Sequence, residues 1–550
     1  MTAPDLVLTG GPVLQPDATP QHGLAVAVTA GRIAAVGPAD DVLALRAART
    51  DVVDLGGRLL LPGFVDAHAH PFWGGLERLT CDLLDTPRTV RHYQQAVASA
   101  AAARQRAPWV TGGGWSFEAF PDGVATVDML DAVVPDRPVV LFNRDHHGVW
   151  VNSRALVMAG LDADTADPPD GRIERDSRGR PSGVLHEGAA ALVTDLVPAP
   201  DDATTDQALR SARDHLVPLG VTGWVEAILG EYAGQPDPLP TYLRAWASGT
   251  LDVRTTGALW WDRTRGVEQI AEVVARRDLA APYGVPLTQV KIMADGIIEN
   301  QTAAMLTDYL RDGVPTGERG LSFVDRAALL EAVPALEGAG FAVHVHAIGD
   351  RAVRDALDAV AVASSQRVRA GRPALPVPHQ VAHLQVVAAD DVARFANVGV
   401  LANCQALWAC HEPQMDDFTI PVLGDERSAG QYPFGAIADA GGLLALGSDW
   451  PVSSADPWQA VHVAVTRTPP EPTNVAPFLP AQALTLAQAL HAGTAGSARA
   501  AGWLDAGRIV PGARADLVVA STDPFSLPSA ALAEVRSDVV VVDGSVVHMH

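Results

Sequence analysis

Several places in this chain put an ionisable side chain at the end of, or inside, an otherwise apolar strand-like run. The sharpest is Pro62-Gly63-Phe64-Val65-Asp66-Ala67-His68-Ala69-His70. His68 and His70 stand at i and i+2, so both side chains leave one face of a strand. At the C-terminal end of a barrel strand, two such imidazoles would overhang an active-site mouth, ready to bind one ion. Others accompany them. His346 closes Phe341-Ala342-Val343-His344-Val345-His346, His383 follows the segment Val377–Ala382, and Asp449 follows Leu443–Ser448. Lys291 lies inside Gln289-Val290-Lys291-Ile292-Met293. Ionisable groups in such surroundings are costly to bury unless paired or metal-bound.

The flanking elements are of two textures. Residues 1–60 read as short strands (Leu6–Leu8, Leu24–Thr29, Arg32–Val36, Val52–Leu55) punctuated by glycines. Residues 505–550 repeat that style with Ala515–Ala520 and Val539–Val542. Neither end is large enough for a core of its own, so together they are expected to complete one small sandwich. Between them, runs such as Val139–Phe142, Gln289–Met293, Ala342–His346 and Leu443–Leu446 alternate with Ala-rich helical stretches at Ala96–Arg106, Ala327–Leu336 and Arg351–Ala361. That alternation predicts βα units in a parallel sheet or barrel over residues 61–504. Residues of about 75–200 carry extra Pro/Gly-rich material, read as an insertion after the first barrel strand, packed near its mouth.

Composition narrows the partners. The 40 basic residues are outnumbered by 64 acidic ones, which argues against nucleic acid or an anionic membrane surface. Three cysteines without a CxxC pair fit a reducing compartment. No signal peptide or membrane-length apolar run is evident, so a cytoplasmic location is expected.

The pieces PGFVDAHAH, RDHHGVWVNSRAL, VKIMADG, HVHAIGD, VAHLQ, GSDWPVSS and GARADLVV resemble the amidohydrolase superfamily, in the style of its amidohydrolase-3 (YtcJ-like) branch. The resemblance implies an α/β fold: a distorted TIM (β/α)8 barrel with a composite β-sandwich from both termini and an insertion near the barrel mouth. It implies that His68, His70 and Asp449 bind one metal while His346 and His383 bind a second. Lys291 falls where the superfamily can place an N-carboxylated lysine bridging both ions. A neutral amine can take up CO2 and become an anionic oxygen ligand, whereas an ammonium would repel the ions; the structural alternative is a lysine paired with Asp295. The expected cofactor is therefore a divalent metal, zinc foremost, as one or two ions, with a CO2-derived carbamate on Lys291.

His147 matches the branch's HxxxxNS pattern, suggesting a substrate contact. Gly112-Gly113-Gly114-Trp115 resembles its glycine–tryptophan loop, so Trp115, with Trp408 and Trp450, is expected to line an apolar pocket. His344 reads as an inner supporting residue. Cys410-His411 as nucleophile and base is disfavoured for want of an orienting motif. The implied activity is hydrolysis of an amide-type C–N bond (N-substituted amide, formamide or carbamate) in a small molecule by metal-activated water, with Asp449 as general base and His147 polarising the carbonyl. Rivals on the same barrel are a mononuclear deaminase, which Asp350 sits one residue too late to serve, an esterase or lactonase, and a non-catalytic metal- or ligand-binding protein. A homodimer is compatible with such barrels.

Overall fold

The computed structural model describes residues 3–472 and 474–550. Its centre is an eight-stranded, all-parallel sheet curled into a barrel. In chain order the strands are β1 (Phe64–Ala69), β2 (Val221–Leu229), β3 (Arg254–Trp260), β4 (Gln289–Met293), β5 (Ala342–Ala347), β6 (Gln380–His383), β7 (Leu401–Cys404) and β8 (Leu443–Leu446). Helices such as Asp202–Leu216, Arg326–Gly338 and Asp350–Arg369 cover the outside. Strands buried on both faces should read as continuous apolar runs. β1, β2 and β5 are buried at every position, which is why their polar members stand out.

Closure between β1 and β8 is made above the strands. Asp449 N–H donates to His68 C=O at 2.7 Å, and His70 N–H donates to Trp450 C=O at 2.8 Å. The Asp66 carboxylate adds bonds from Ser448 N–H (3.0 Å) and Ser448 Oγ–H (2.5 Å). Thus the residues that close the barrel are neighbours of the candidate ligands.

The chain ends share a six-stranded sheet. Leu60–Pro62 pairs antiparallel with Leu517–Ala520 and parallel with Val13–Leu14. A four-stranded sheet of Leu6–Thr9, Leu24–Thr29, Arg32–Pro38 and Asp51–Asp54 faces it. Leu8, Val26, Val28, Leu60, Leu517 and Val541 fill the space between.

Val139–Asn143, one of the alternating runs and inside the 75–200 insertion, lies in the insertion's own sheet and not in the barrel. It lies in a six-stranded sheet built from Cys81–Asp82 through Pro181–Glu187, with Val110–Trp115 and Gly148–Val151 among its strands. The helix Val90–Ala103 packs on this inserted sheet. A parallel strand buried on both faces has the same apolar pattern wherever it sits, so periodicity could not assign it to barrel or insertion. The inserted sheet delivers residues 144–147 and Glu187 to the barrel mouth.

The helix Pro71–Arg78 leaves β1 directly after His70 and is seated without slack. A Cβ on Gly75 would lie 2.0 Å from Ala208 C=O, and one on Gly74 would lie 2.6 Å from the Trp450 ring. The first neighbour is backbone and cannot rotate away. Gly75→Val should therefore overpack the contact with helix Asp202–Leu216 and cost about 1–3 kcal/mol. Thermal unfolding followed by circular dichroism should show a Tm several degrees lower; an unchanged Tm would refute the tight seating of the His70 end of β1.

Candidate metal centre

All six residues read from the sequence as ligands meet in one cavity at the C-terminal ends of the strands. His68, His70, Lys291, His346, His383 and Asp449 line it together with His147. One donor atom each from His68, His383 and Asp449 lies within 4.8 Å of the others. This tightest triad draws on both of the expected ligand sets. His68 Nε2 and His70 Nε2 stand 3.3 and 3.1 Å from Asp449 Oδ1, and the rings of His346 and His383 are 4.4 Å apart. Lys291 Nζ is 3.0 Å from His68 Nε2.

These atoms crowd one another without satisfying one another. Both ring nitrogens of His383, His70 Nδ1 and Asp449 Oδ1 are buried with no hydrogen-bond partner. Such orphans each carry a desolvation penalty. A divalent cation among imidazoles and a carboxylate would remove it, and nitrogen and oxygen donors of this kind suit zinc. The residues present fit a metal.

Burial controls the protonation of the set. It pushes His68 down to about 3, reinforced by the neighbouring Lys291 amine. It lowers His70 and takes His346 and His383 well below the ordinary imidazole range. The imidazoles are thus neutral, as ligands must be. Asp449 is desolvated too, but the surrounding histidines hold it well below the usual carboxylate range. Burial brings Lys291 down to about 7.

A supporting tier holds these groups. His344 Nε2 contacts His68 Nδ1 at 2.8 Å, in the inner supporting place expected of it, which leaves His68 Nε2 facing the cavity. Asp66 also accepts His68 N–H at 3.2 Å. Glu226, below His70, accepts from Phe72 N–H (3.1 Å) and Tyr242 Oη–H (3.0 Å), and burial raises it to about 8. Asp295 is not paired with Lys291. It accepts the backbone N–H groups of Ala304, Ile348 and Gly349 at 2.9–3.0 Å, fixing the loop after β5.

The remaining predicted residues divide. His147 lines the cavity, with Nδ1 2.9 Å from a Glu187 carboxylate oxygen. Burial opposes its charge, but Glu187 outweighs burial and raises His147 to about 9. Trp408 lines the cavity and lies flush on His383, centroids 5.3 Å apart and planes 3° apart. Trp115 does not line it: the indole is fully buried in the inserted sheet's core against Phe117, Phe120 and Trp150, its Nε1–H donating to Leu141 C=O at 2.8 Å. Trp450 does not line it either. It packs beneath, against Gly74 and the His215 ring. Cys410 is buried and its thiol pushed up to about 12, while His411 turns to Asp416 at 2.6 Å, so they form no nucleophile–base pair. Asp350 accepts Leu306 N–H.

Comparison with known proteins shows the family. The family model described as "Amidohydrolase family" matches residues 51–548. The chain belongs to the amidohydrolase family. YtcJ of Bacillus subtilis (strain 168) is 29% identical to this amidohydrolase over 509 residues, covering 91% of this chain and 90% of that protein. The N-substituted formamide deformylase of Arthrobacter pascens is 26% identical over 552 residues, covering 98% and 97%. The crystal structure of an uncharacterized metal-dependent hydrolase from Pyrococcus furiosus superposes with a TM-score of 0.70 at 22% identity, covering 95% of this chain and all of that one. No helix among the described residues is long and apolar enough to cross a membrane.

One signal was open to sequence reading and was missed. Lys291 is the only lysine in the 550 residues; every other one of the 40 basic side chains is arginine. A guanidinium cannot lose its proton in a protein, whereas an amine can. The single side-chain amine of the chain stands where it faces the candidate metal centre. By contrast, Trp73 lies nearly parallel to His70, centroids 4.9 Å apart, and nothing in its spacing announced that.

If the orphaned donors are metal ligands, ion binding must stabilise the folded state by mass action, about 2.7 kcal/mol at a hundredfold excess over Kd. Chelator treatment should lower Tm by several degrees, re-addition of Zn2+ should restore it, and His68→Ala should abolish the response. A Tm indifferent to chelation in the parent protein would count against a metal at this site.

Proposed function

We propose that this amidohydrolase cleaves a neutral N-substituted amide, foremost an N-substituted formamide. The observation that carries this reading is the pair of indole slabs on the ligands: Trp408 against His383 and Trp73 against His70. Between and beyond them Ile228, Tyr232, Met293, Ile348, Met415 and Val452 extend an apolar wall. Such a chamber suits an apolar or aromatic N-substituent beside the scissile carbon. The same lining carries Asp145, Glu299 and Glu412 beside the cations Arg144 and His147, so no excess of cations recommends an anionic substituent. The relative from Arthrobacter pascens bears a name of the same substrate class.

A bound divalent ion, zinc foremost, would supply Lewis-acid polarisation and acidify water. His68, His70, His346, His383 and Asp449 would hold one or two such ions. Lys291 would join them as a carbamate: the neutral amine attacks CO2, the N–C bond forms, and the ammonium proton leaves to solvent. Its lowered pKa supplies the neutral amine near pH 7, and its uniqueness in the chain argues for amine chemistry there. Asp449, ionised among the histidines, takes a proton from the attacking water and delivers it to the leaving nitrogen. His147, held charged by Glu187, offers its Nε2–H to the carbonyl oxygen.

Assay of N-aryl and N-alkyl formamides beside N-formyl amino acids tests the substrate class. The neutral formamides should be favoured in kcat/KM by at least tenfold, equivalent to ~1.4 kcal/mol. Asp449→Asn should lower kcat by at least about a hundredfold. Hydrolysis of the N-formyl amino acids at equal or greater kcat/KM would overturn the neutral-substituent reading. Because the chain has one lysine, 13C-bicarbonate should yield one carbamate resonance that Lys291→Arg removes, distinct from any signal of the N-terminal amine that the variant keeps; its absence from an active, metal-loaded protein would exclude the bridge.

A further inference from the structure

β6 ends in a residue with an unusual backbone. His383 has φ +77° and Leu384 φ +54°, the left-handed region, which residues with a Cβ occupy only where their surroundings hold them there. The turn directs the His383 imidazole into the cavity mouth. At this strand end the His383 N–H also meets a side chain: Gln405 Oε1 accepts it at 2.8 Å.

Gln405 is one end of a chain of buried amides through the barrel interior. Its Nε2–H donates to Asn403 Oδ1 at 3.1 Å. Asn403 Nδ2–H donates to Ala67 C=O at 3.0 Å and Gln380 Oε1 at 3.1 Å. Gln380 Nε2–H donates to Gln289 Oε1 at 2.7 Å and Ala500 C=O at 2.9 Å, and Gln289 Nε2–H donates to the same carbonyl at 3.0 Å. All four side chains are at most 2% exposed. The direction of the chain is forced at both ends. An N–H at His383 can only donate, and the carbonyls of Ala67 and Ala500 can only accept, so each amide has one orientation that satisfies its neighbours.

The network also spans the site. Ala67 immediately precedes His68, so one relay ties β1 below His68 to β6 at His383 across the barrel. The residue that follows β8 leaves room for it. A Cβ at Gly447 would lie 2.6 Å from His68 Cβ, 2.8 Å from Asn403 Oδ1 and 2.9 Å from Gln405 Nε2.

We propose that Gln405 and Asn403 are positioning residues that hold His383 in its left-handed conformation and fix its spacing from His68, so that the two imidazoles converge on one ion. This inference rests on the reading of His68 and His383 as metal ligands. It predicts that the polarity of the amide chain matters, beyond its volume. Gln405→Glu keeps the shape but sets a carboxylate oxygen against Asn403 Oδ1. Flipping Asn403 to relieve that conflict would break its bonds to Ala67 and Gln380. Gln405→Met keeps the approximate volume and offers no acceptor to His383 N–H.

The test uses the full-length protein loaded with Co2+ as a spectroscopic probe, with Co2+ affinity, the visible ligand-field spectrum and Tm measured together. Gln405→Glu and Gln405→Met should stay folded, bind Co2+ about 10–100-fold more weakly, as disturbed outer-sphere partners do, and show an altered ligand-field spectrum. Unchanged affinity and spectrum in both variants would overturn the positioning role. His383→Ala separates the two readings: if it too leaves Co2+ binding unchanged, the ligand assignment fails; if it weakens binding while the Gln405 variants do not, only the positioning role fails. Should the Gln405 variants not fold, hydrogen exchange in the parent protein decides. The His383 amide should be strongly protected, and rapid exchange there would overturn the proposal.

Discussion

The structure depends on a conflict at the top of the barrel: imidazole nitrogens and carboxylate oxygens are buried together in positions where they cannot satisfy one another. In water each would be solvated, and in an ordinary core each would have a partner. Here His383 has neither nitrogen bonded, and Asp449 Oδ1 is approached by two histidines without a hydrogen bond to either. A divalent cation would resolve the conflict. A site whose residues satisfied one another would have no need of one.

Much of the surrounding architecture maintains that conflict. The barrel is closed by the segment that carries Asp449, through bonds to His68 C=O, the Asp66 carboxylate and His70 N–H. Glu226 and His344 sit behind the histidines, and Asp295 ties down the loop beside His346. The helix after His70 is seated on glycines because a Cβ would meet Ala208 backbone at Gly75 and the Trp450 ring at Gly74. The inserted sheet, remote from the barrel core, contributes His147 and the Glu187 that keeps it charged.

What could be read in the sequence follows the range of the interactions. His68, His70, His346, His383, Asp449 and Lys291 were legible because each interrupts a short apolar run, a local anomaly that needs no tertiary knowledge. The terminal sandwich was legible because two β-patterned ends are each too small to fold alone. Asp66 and Glu226 were not legible in their supporting roles. Asp66 bonds Ser448, 382 positions away, and Glu226 bonds Phe72, 154 positions away. Trp115 and Trp450 were drawn towards the pocket by their neighbourhood in sequence, yet a large apolar ring beside a site gains more from core packing than from lining a cavity. The apolar pattern of Val139–Asn143 did not by itself separate barrel from insertion, because two kinds of buried parallel sheet share it. The uniqueness of Lys291 was present in the composition, and its force came only once the amine was seen 3.0 Å from His68 Nε2.

Metal stoichiometry of the parent protein is the most direct test of the central claim. Elemental analysis after purification without chelators should find at least one equivalent of a divalent transition metal per chain, and close to two if Lys291 bridges as a carbamate. Full occupancy by neither zinc nor any other divalent ion, in protein that is folded and hydrolytically active, would contradict the account.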